Sequence, residues 1–129
     1  SEDLEAVACQ DRMGSAFASY EVNMVEILDR IQDAAPDATI LFMRAYNPFS
    51  LGFGASVGLE QQTSDTLQSL NDIAADLATA RGMLVADAFT PMEGTAAATT
   101  HMVDNPPDIH PLPIGFDILA GSFVDALSG

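Results

Sequence analysis

Apolar residues at Phe17, Tyr20, Met24, Ile27, Leu28 and Ile31 recur at steps of three and four, the spacing that gathers them on one face of a helix. Pro36 ends that helix and Asp37 opens a turn. Residues 39–46 (TILFMRAY) form a short, mostly apolar run with β-branched and aromatic members, which predicts a buried strand. Asn47-Pro48 breaks it, and a glycine-rich loop follows through Gly52, Gly54 and Gly58. Thr63 or Ser64 is then expected to cap a second helix with the stripe Leu67, Leu70, Ile73, Ala74 and Leu77. Gly82 suits the left-handed position that closes it. Residues 83–89 (MLVADAF) predict a second buried strand, and residues 90–113 a long, weakly patterned loop. The last helix starts near Pro113, with Phe116, Leu119, Ala120, Phe123 and Leu127 on one side.

Helix, strand, helix, strand, helix is the order of a parallel α/β arrangement with helices on both faces. No internal repeat and no domain linker interrupts it, so residues 1–129 read as one segment of a single domain. Two strands are too few to close such a fold. A two-stranded parallel sheet leaves both backbone edges unpaired and buries little apolar surface. Either further strands escape the pattern, or another chain completes the sheet. The second option makes a homo-oligomer or a complementary N-terminal chain the expected partner.

Charge narrows the partners. Nineteen acidic residues face four basic ones, all arginine (Arg12, Arg30, Arg44, Arg81), for a formal charge of −15. No basic stripe is available to neutralise phosphates, which argues against nucleic acid and against docking on anionic membranes. The surplus reads as a solvated acidic surface, of the kind that suits high salt. A hydrophobic content of 48% excludes a disordered acidic tail. No run of 18 apolar residues is present, so no membrane span is expected, and no leader-like stretch opens the chain. The single Cys9 cannot form an internal disulfide; it is a buried thiol or the partner of a cysteine elsewhere.

The chemistry concentrates in Asp108-Ile109-His110-Pro111, followed by Gly115. A lone histidine between an acidic residue and a proline, just ahead of an amphipathic helix, is how some serine hydrolases present their general base. Ser15, Ser50, Ser56 and Ser64 are the in-chain serines considered as its nucleophile, with Ser56 in the stretch GFGASVG. None carries the strand-to-helix elbow that exposes an attacking hydroxyl. His101 lies nine residues from His110, with Asp104 and Asp108 between them. That spacing matches no metal-ligand pattern, and neither a metal nor a cofactor is expected.

Five ordered segments resemble the C-terminal part of the SGNH hydrolases, also called the GDSL lipase/esterase family. Asn23-Met24-Val25-Glu26-Ile27-Leu28 with Ala34-Ala35-Pro36-Asp37-Ala38 is similar to the helix and turn before that family's fourth strand. Tyr46-Asn47-Pro48-Phe49 resembles the loop leaving it. Leu70-Asn71-Asp72-Ile73-Ala74 and Val85-Ala86-Asp87-Ala88-Phe89 resemble the next helix and the fifth strand. Asp108-Ile109-His110-Pro111 with Gly115 and Ala120 is similar to the histidine block. The resemblance implies a three-layer α/β/α fold that hydrolyses small ester substrates without a metal, and is compatible with secretion. It makes His110 the general base and Asp108 its acidic partner. The family's usual aspartate position, three residues before the histidine, is Pro107 here, so a backbone carbonyl or Asp104 remains an alternative. The family's Gly-Asp-Ser, oxyanion-glycine and Gly-x-Asn-Asp blocks are not in these 129 residues. Two functions therefore stand: an esterase whose nucleophile lies outside this chain, or a non-catalytic remnant or interaction module working through a partner.

Overall fold

The computed structural model describes residues 7–52 and 57–129, so Gly54 and Ser56 lie outside the described residues. The chain divides into two compact units, Ser1–Ala38 and Thr39–Gly129. The first holds one long helix, α1 (Val7–Ala34), which carries the Phe17–Ile31 stripe along its length. Arg30 pairs with Glu26 one turn back, at 2.5 Å on the exposed side. The helix ends two residues before Pro36, with the Ala35 amide donating to the Ile31 carbonyl at 3.0 Å. Cys9 is a free, half-buried thiol on this helix.

The second unit is built on two short parallel strands, β1 (Leu41–Arg44) and β2 (Leu84–Asp87), which pair in register from Leu41–Leu84 to Arg44–Asp87. Between them runs α2 (Val57–Ala80). Three short helical turns follow β2: α3 (Phe89–Met92), α4 (Ala96–Thr99) and a 3₁₀ turn at His101–Val103. The chain ends in α5 (Pro113–Ser128). The fold is mixed α/β and mostly helical, around a two-stranded parallel sheet.

Both strands are shorter than the apolar runs that announced them, and three details of the helices differ from expectation. Thr63 and Ser64 do not cap α2; they sit inside it, because the helix begins six residues before Thr63. The Thr63 hydroxyl turns back on its own helix and donates to the Leu59 carbonyl at 2.8 Å. The segment after β2 is not a structureless loop. Asp87 accepts from the amides of Phe89 and Thr90, both at 3.1 Å, which starts α3 directly after the strand. The third difference concerns which faces are buried. In α2 the deepest line is Ser64, Asn71, Ala74, Ala75 and Ala78, while Leu67, Leu70, Ile73 and Leu77 flank it half-buried. In α5 the buried positions are Gly115 and Ser122, and Phe116, Ala120 and Leu127 are exposed. Helices that approach strands closely put small residues at the point of contact and splay large ones to the sides.

Gly82 behaves as its position predicts. It adopts φ +73° after α2, its amide reaches the Thr79 carbonyl at 3.0 Å, and the Met83 amide reaches Ala78 at 3.0 Å. This double closure turns the chain straight into β2.

Asn71 ties α2 to the end of β1. Its side chain accepts from the Ala45 amide and donates to the Ala45 carbonyl, both at 2.9 Å, so it takes the place of a neighbouring strand. The residue is 3% exposed, and removing its amide would orphan two backbone groups where water reaches poorly. Asn71→Ala is expected to cost about 2–3 kcal/mol. Chemical denaturation would show this as a lower midpoint with unchanged slope; a midpoint equal to that of the parent chain would contradict the role.

Candidate functional site

The histidine loop is held from three sides. Thr100 and Pro111 form an antiparallel bridge, flanked by the Leu112 amide on the Thr99 carbonyl at 2.8 Å and the His101 amide on the His110 carbonyl at 3.0 Å. The Asp108 amide closes a second link to the His101 carbonyl at 3.1 Å. Tyr46, two residues beyond β1, donates its hydroxyl to the Ile109 carbonyl at 2.8 Å. Within the loop the Asn105-Pro106 peptide is cis. Pro113 at the first position of α5 then starts the helix in a conformation its ring already prefers.

Gly115 lets α5 come this close. A Cβ there would lie 2.2 Å from the Thr99 carbonyl oxygen and 2.8 Å from the Pro111 Cβ. The glycine that ends the histidine motif is therefore a packing requirement of the bridge that carries His110.

Asp108 and His110 meet although they are only two residues apart. In a plain extended segment such a pair shares a face but is not held together. Here Asp108 Oδ1 accepts from the His110 backbone amide at 3.0 Å, folding the segment into a tight Asx turn. The same oxygen lies 2.5 Å from His110 Nδ1. The carboxylate thus holds the ring by its inner nitrogen. His110 is 75% exposed at the side chain, and Nε2 has no hydrogen-bond partner among the described residues. Asp104, the other acidic candidate, faces His101 instead, with Oδ2 at 2.6 Å from that ring's Nδ1.

The two hydrogen bonds from His110 hold the Asp108 carboxyl below its ordinary value, helped by the positive charge that His110 and His101 can carry. Asp108 in turn helps to raise the Tyr46 hydroxyl, after the larger effect of burial. A carboxyl depressed in the folded state contributes fully above its unfolded value and is lost as pH falls through the folded one. The Asp108–His110 contact is therefore expected to persist throughout the neutral range and to open only in acid. Carboxyl ¹³C titration should place Asp108 below an ordinary aspartate, and His110→Ala should let it rise; a titration indifferent to His110→Ala would contradict the pairing.

A second polar site lies apart from this loop. Ser50, Glu60, Gln61, Ser64, Glu93 and Gly94 line a cavity of about 260 Å³. Ser64 donates to Glu93 Oε1 and accepts from the buried Asn47 amide at 2.8 Å, and Ser50 accepts from the Gly94 amide at 2.7 Å. Glu60 Oε1 and Glu93 Oε2 are buried without a hydrogen-bond partner. Gly52 sits at φ +89° beside Gly94, whose carbonyl would lie 1.9 Å from any Cβ. Single-residue reading passed over this cavity because its members are scattered over residues 50–94. Ser50 and Ser64, both buried here, bond within this cavity and neither hydrogen-bonds His110.

No group of three or more His, Cys, Asp or Glu among the described residues is arranged around a metal, and no described helix is long and apolar enough to cross a membrane. No known protein-family profile, curated protein or solved structure matches this chain.

Proposed function

We propose that this chain is the C-terminal part of an SGNH-type ester hydrolase, completing a three-layer α/β/α domain with strands supplied from outside these 129 residues. The observation that carries the reading is the Asp108–His110 pair, with Asp108 Oδ1 at 2.5 Å from Nδ1 and Nε2 turned to solvent. A general base needs this arrangement: one nitrogen fixed by a carboxylate, the other open to a hydroxyl. In the reaction a serine Oγ attacks the ester carbonyl while its proton passes to His110 Nε2. The carbon–oxygen bond to the alcohol then breaks, and the leaving alkoxide takes that proton. Water repeats the sequence on the acyl-enzyme, with His110 again accepting and returning the proton. Asp108 keeps the ring in the right tautomer and stabilises its charged form. The parallel pairing of β1 and β2, with α2 between them in sequence, also fits the reading.

A reading frame that continues upstream should carry a Gly-Asp-Ser block and a Gly-x-Asn-Asp block. The 129-residue chain alone is expected to hydrolyse short-chain nitrophenyl esters no faster than buffer, and the extended protein to turn them over. Turnover by the short chain, abolished by His110→Ala, would place the nucleophile within it.

The second reading, a non-catalytic module, is favoured by α5. Phe116, Val124 and Leu127 lie together on its outer side and are 56–61% exposed, with Ala120 between them. A helix apolar on both sides is usually covered on both. An extended protein that carries both blocks and still lacks turnover would favour this reading.

A further inference from the structure

We infer that Tyr46 is a positioning residue for the His110 base. Its hydroxyl holds the peptide that joins Ile109 to His110, and with it the grip of the Asp108 carboxylate on the ring. The phenol oxygen donates to the Ile109 carbonyl at 2.8 Å, across 63 residues of chain. The Ile109 carbonyl and the His110 N–H share one trans peptide plane and point to opposite sides. A donor that fixes the carbonyl therefore turns the N–H away from Tyr46, and that N–H is the group Asp108 Oδ1 receives at 3.0 Å. The same oxygen reaches His110 Nδ1 at 2.5 Å. The turn that Tyr46 and Asp108 hold from either side thus also sets the ring.

Packing contributes little here, because residues 103–110 are all exposed. Hydrogen bonds hold the loop instead. The Asp108 amide on the His101 carbonyl and the His101 amide on the His110 carbonyl tie it to the adjacent 3₁₀ turn. Tyr46 ties it to the end of β1, and it does so from a fixed base. Ala45 before it is gripped on both backbone groups by Asn71, each at 2.9 Å. Asn47 after it is 1% exposed and donates to Thr63 and Ser64 at 3.0 and 2.8 Å. A tyrosine side chain has only two main torsions, so with the backbone anchored on both sides its hydroxyl is a defined point. Burial and the nearby Asp108 charge both hold that hydroxyl above its ordinary value, which keeps it a donor through the neutral range.

The hold on the Asp108–His110 pair is a property of this chain, whereas its catalytic consequence rests on the hydrolase reading. The Tyr46 bond ends on the Ile109 carbonyl, so it acts on the reaction only through the direction of the His110 ring. Its loss should therefore appear in kcat and leave KM unchanged.

Tyr46→Phe removes the hydroxyl and keeps the ring. In the 129-residue chain, carboxyl ¹³C titration should show Asp108 moved up from its depressed value toward an ordinary aspartate. The cause is loosening of the turn that brings both His110 donors to it. The His110 amide should exchange with solvent about fivefold faster, as loss of one hydrogen bond allows. The Leu112 amide, bonded to Thr99, and the Gly82 amide, bonded to Thr79, should exchange as in the parent. An equal change at all three amides would make Tyr46 a general stabiliser and overturn the inference. So would an Asp108 titration identical in the two chains. In the extended protein Tyr46→Phe should lower kcat about 10- to 100-fold. Asp108→Ala already removes the turn, so adding Tyr46→Phe to it should cost less than about threefold more. Full additivity of the two substitutions, or a change in KM alone, would overturn the inference. An extended protein without turnover whose Asp108 titration still responds to Tyr46→Phe would remove the hydrolase reading and leave Tyr46 as the residue that holds the pair.

Discussion

Under the proposed ester-hydrolase reading, replacing His110 with alanine is expected to lower kcat by a factor on the order of 10⁴ to 10⁶, with little change in stability. The loss is large because the base acts twice in each cycle, taking the serine proton and delivering it to the leaving alcohol. Stability should hold because the ring is 75% exposed and makes its one side-chain contact with Asp108, another exposed group. Asp108→Asn should cost less, nearer the lower end of the 10²- to 10⁴-fold range of acid–base effects. An amide can still cap the His110 backbone N–H and hold the loop, but it cannot stabilise the charged ring. The two variants should therefore differ in kind. His110→Ala should leave a pH-independent residue of activity, whereas Asp108→Asn should retain a pH dependence. Measuring kcat and KM for both across pH separates the roles. If Asp108→Asn is as active as the parent, a different group orients the base.

Gly115→Ala is expected to cost about 3 kcal/mol. The added Cβ would lie 2.2 Å from the Thr99 carbonyl oxygen, a backbone atom that cannot move without releasing the Leu112 amide. The strain passes to the bridge below His110, so α5 or the histidine loop must shift. Gly121→Ala in the same helix supplies the control. Nothing lies within 4 Å of that position, and alanine there should stabilise by about 0.5–1 kcal/mol through helix propensity. Thermal melting should separate the two variants by well over 10 °C, since each kcal/mol moves a domain of this size by roughly 4 °C or more. Equal melting temperatures would mean that α5 does not approach the bridge this closely.

Sequence patterns located the elements better than they located their faces. Apolar periodicity marked α1, both strands, α2 and α5, and Pro113 and Gly82 marked a helix start and a helix stop. The same patterns placed the α2 stripe at the edge of its buried face, sharing only Ala74 with the deepest line, and in α5 favoured Phe116, Ala120 and Leu127, which are exposed. Periodicity weighs residues by hydrophobicity, so it favours Leu70 or Phe116. Closest approach is decided by size, and beyond the expected Ala74 it falls on Asn71, Ala78, Gly115 and Ser122. Residues 90–103 looked structureless because turns of three or four residues are too short for a period to register. Their caps depend on Asp87 and Thr100, which bond to backbone nearby.

By itself the sequence determined the order of the long helices and the two strands, the mixed α/β class, an excess of acidic residues with no lysine, and His110 as the candidate base. Each of these depends on local composition or on spacing within one element. Tertiary structure alone decided the rest. Asp108 was ambiguous at a spacing of two until its carboxylate proved to cap the His110 amide and reach the ring together. Asp104 was an alternative until the 3₁₀ turn gave it to His101. Sequence distance likewise gave no sign that Thr100 and Pro111 pair across the segment between them. That bridge exists because α5 can lie against Thr99 at Gly115, a residue with no side chain.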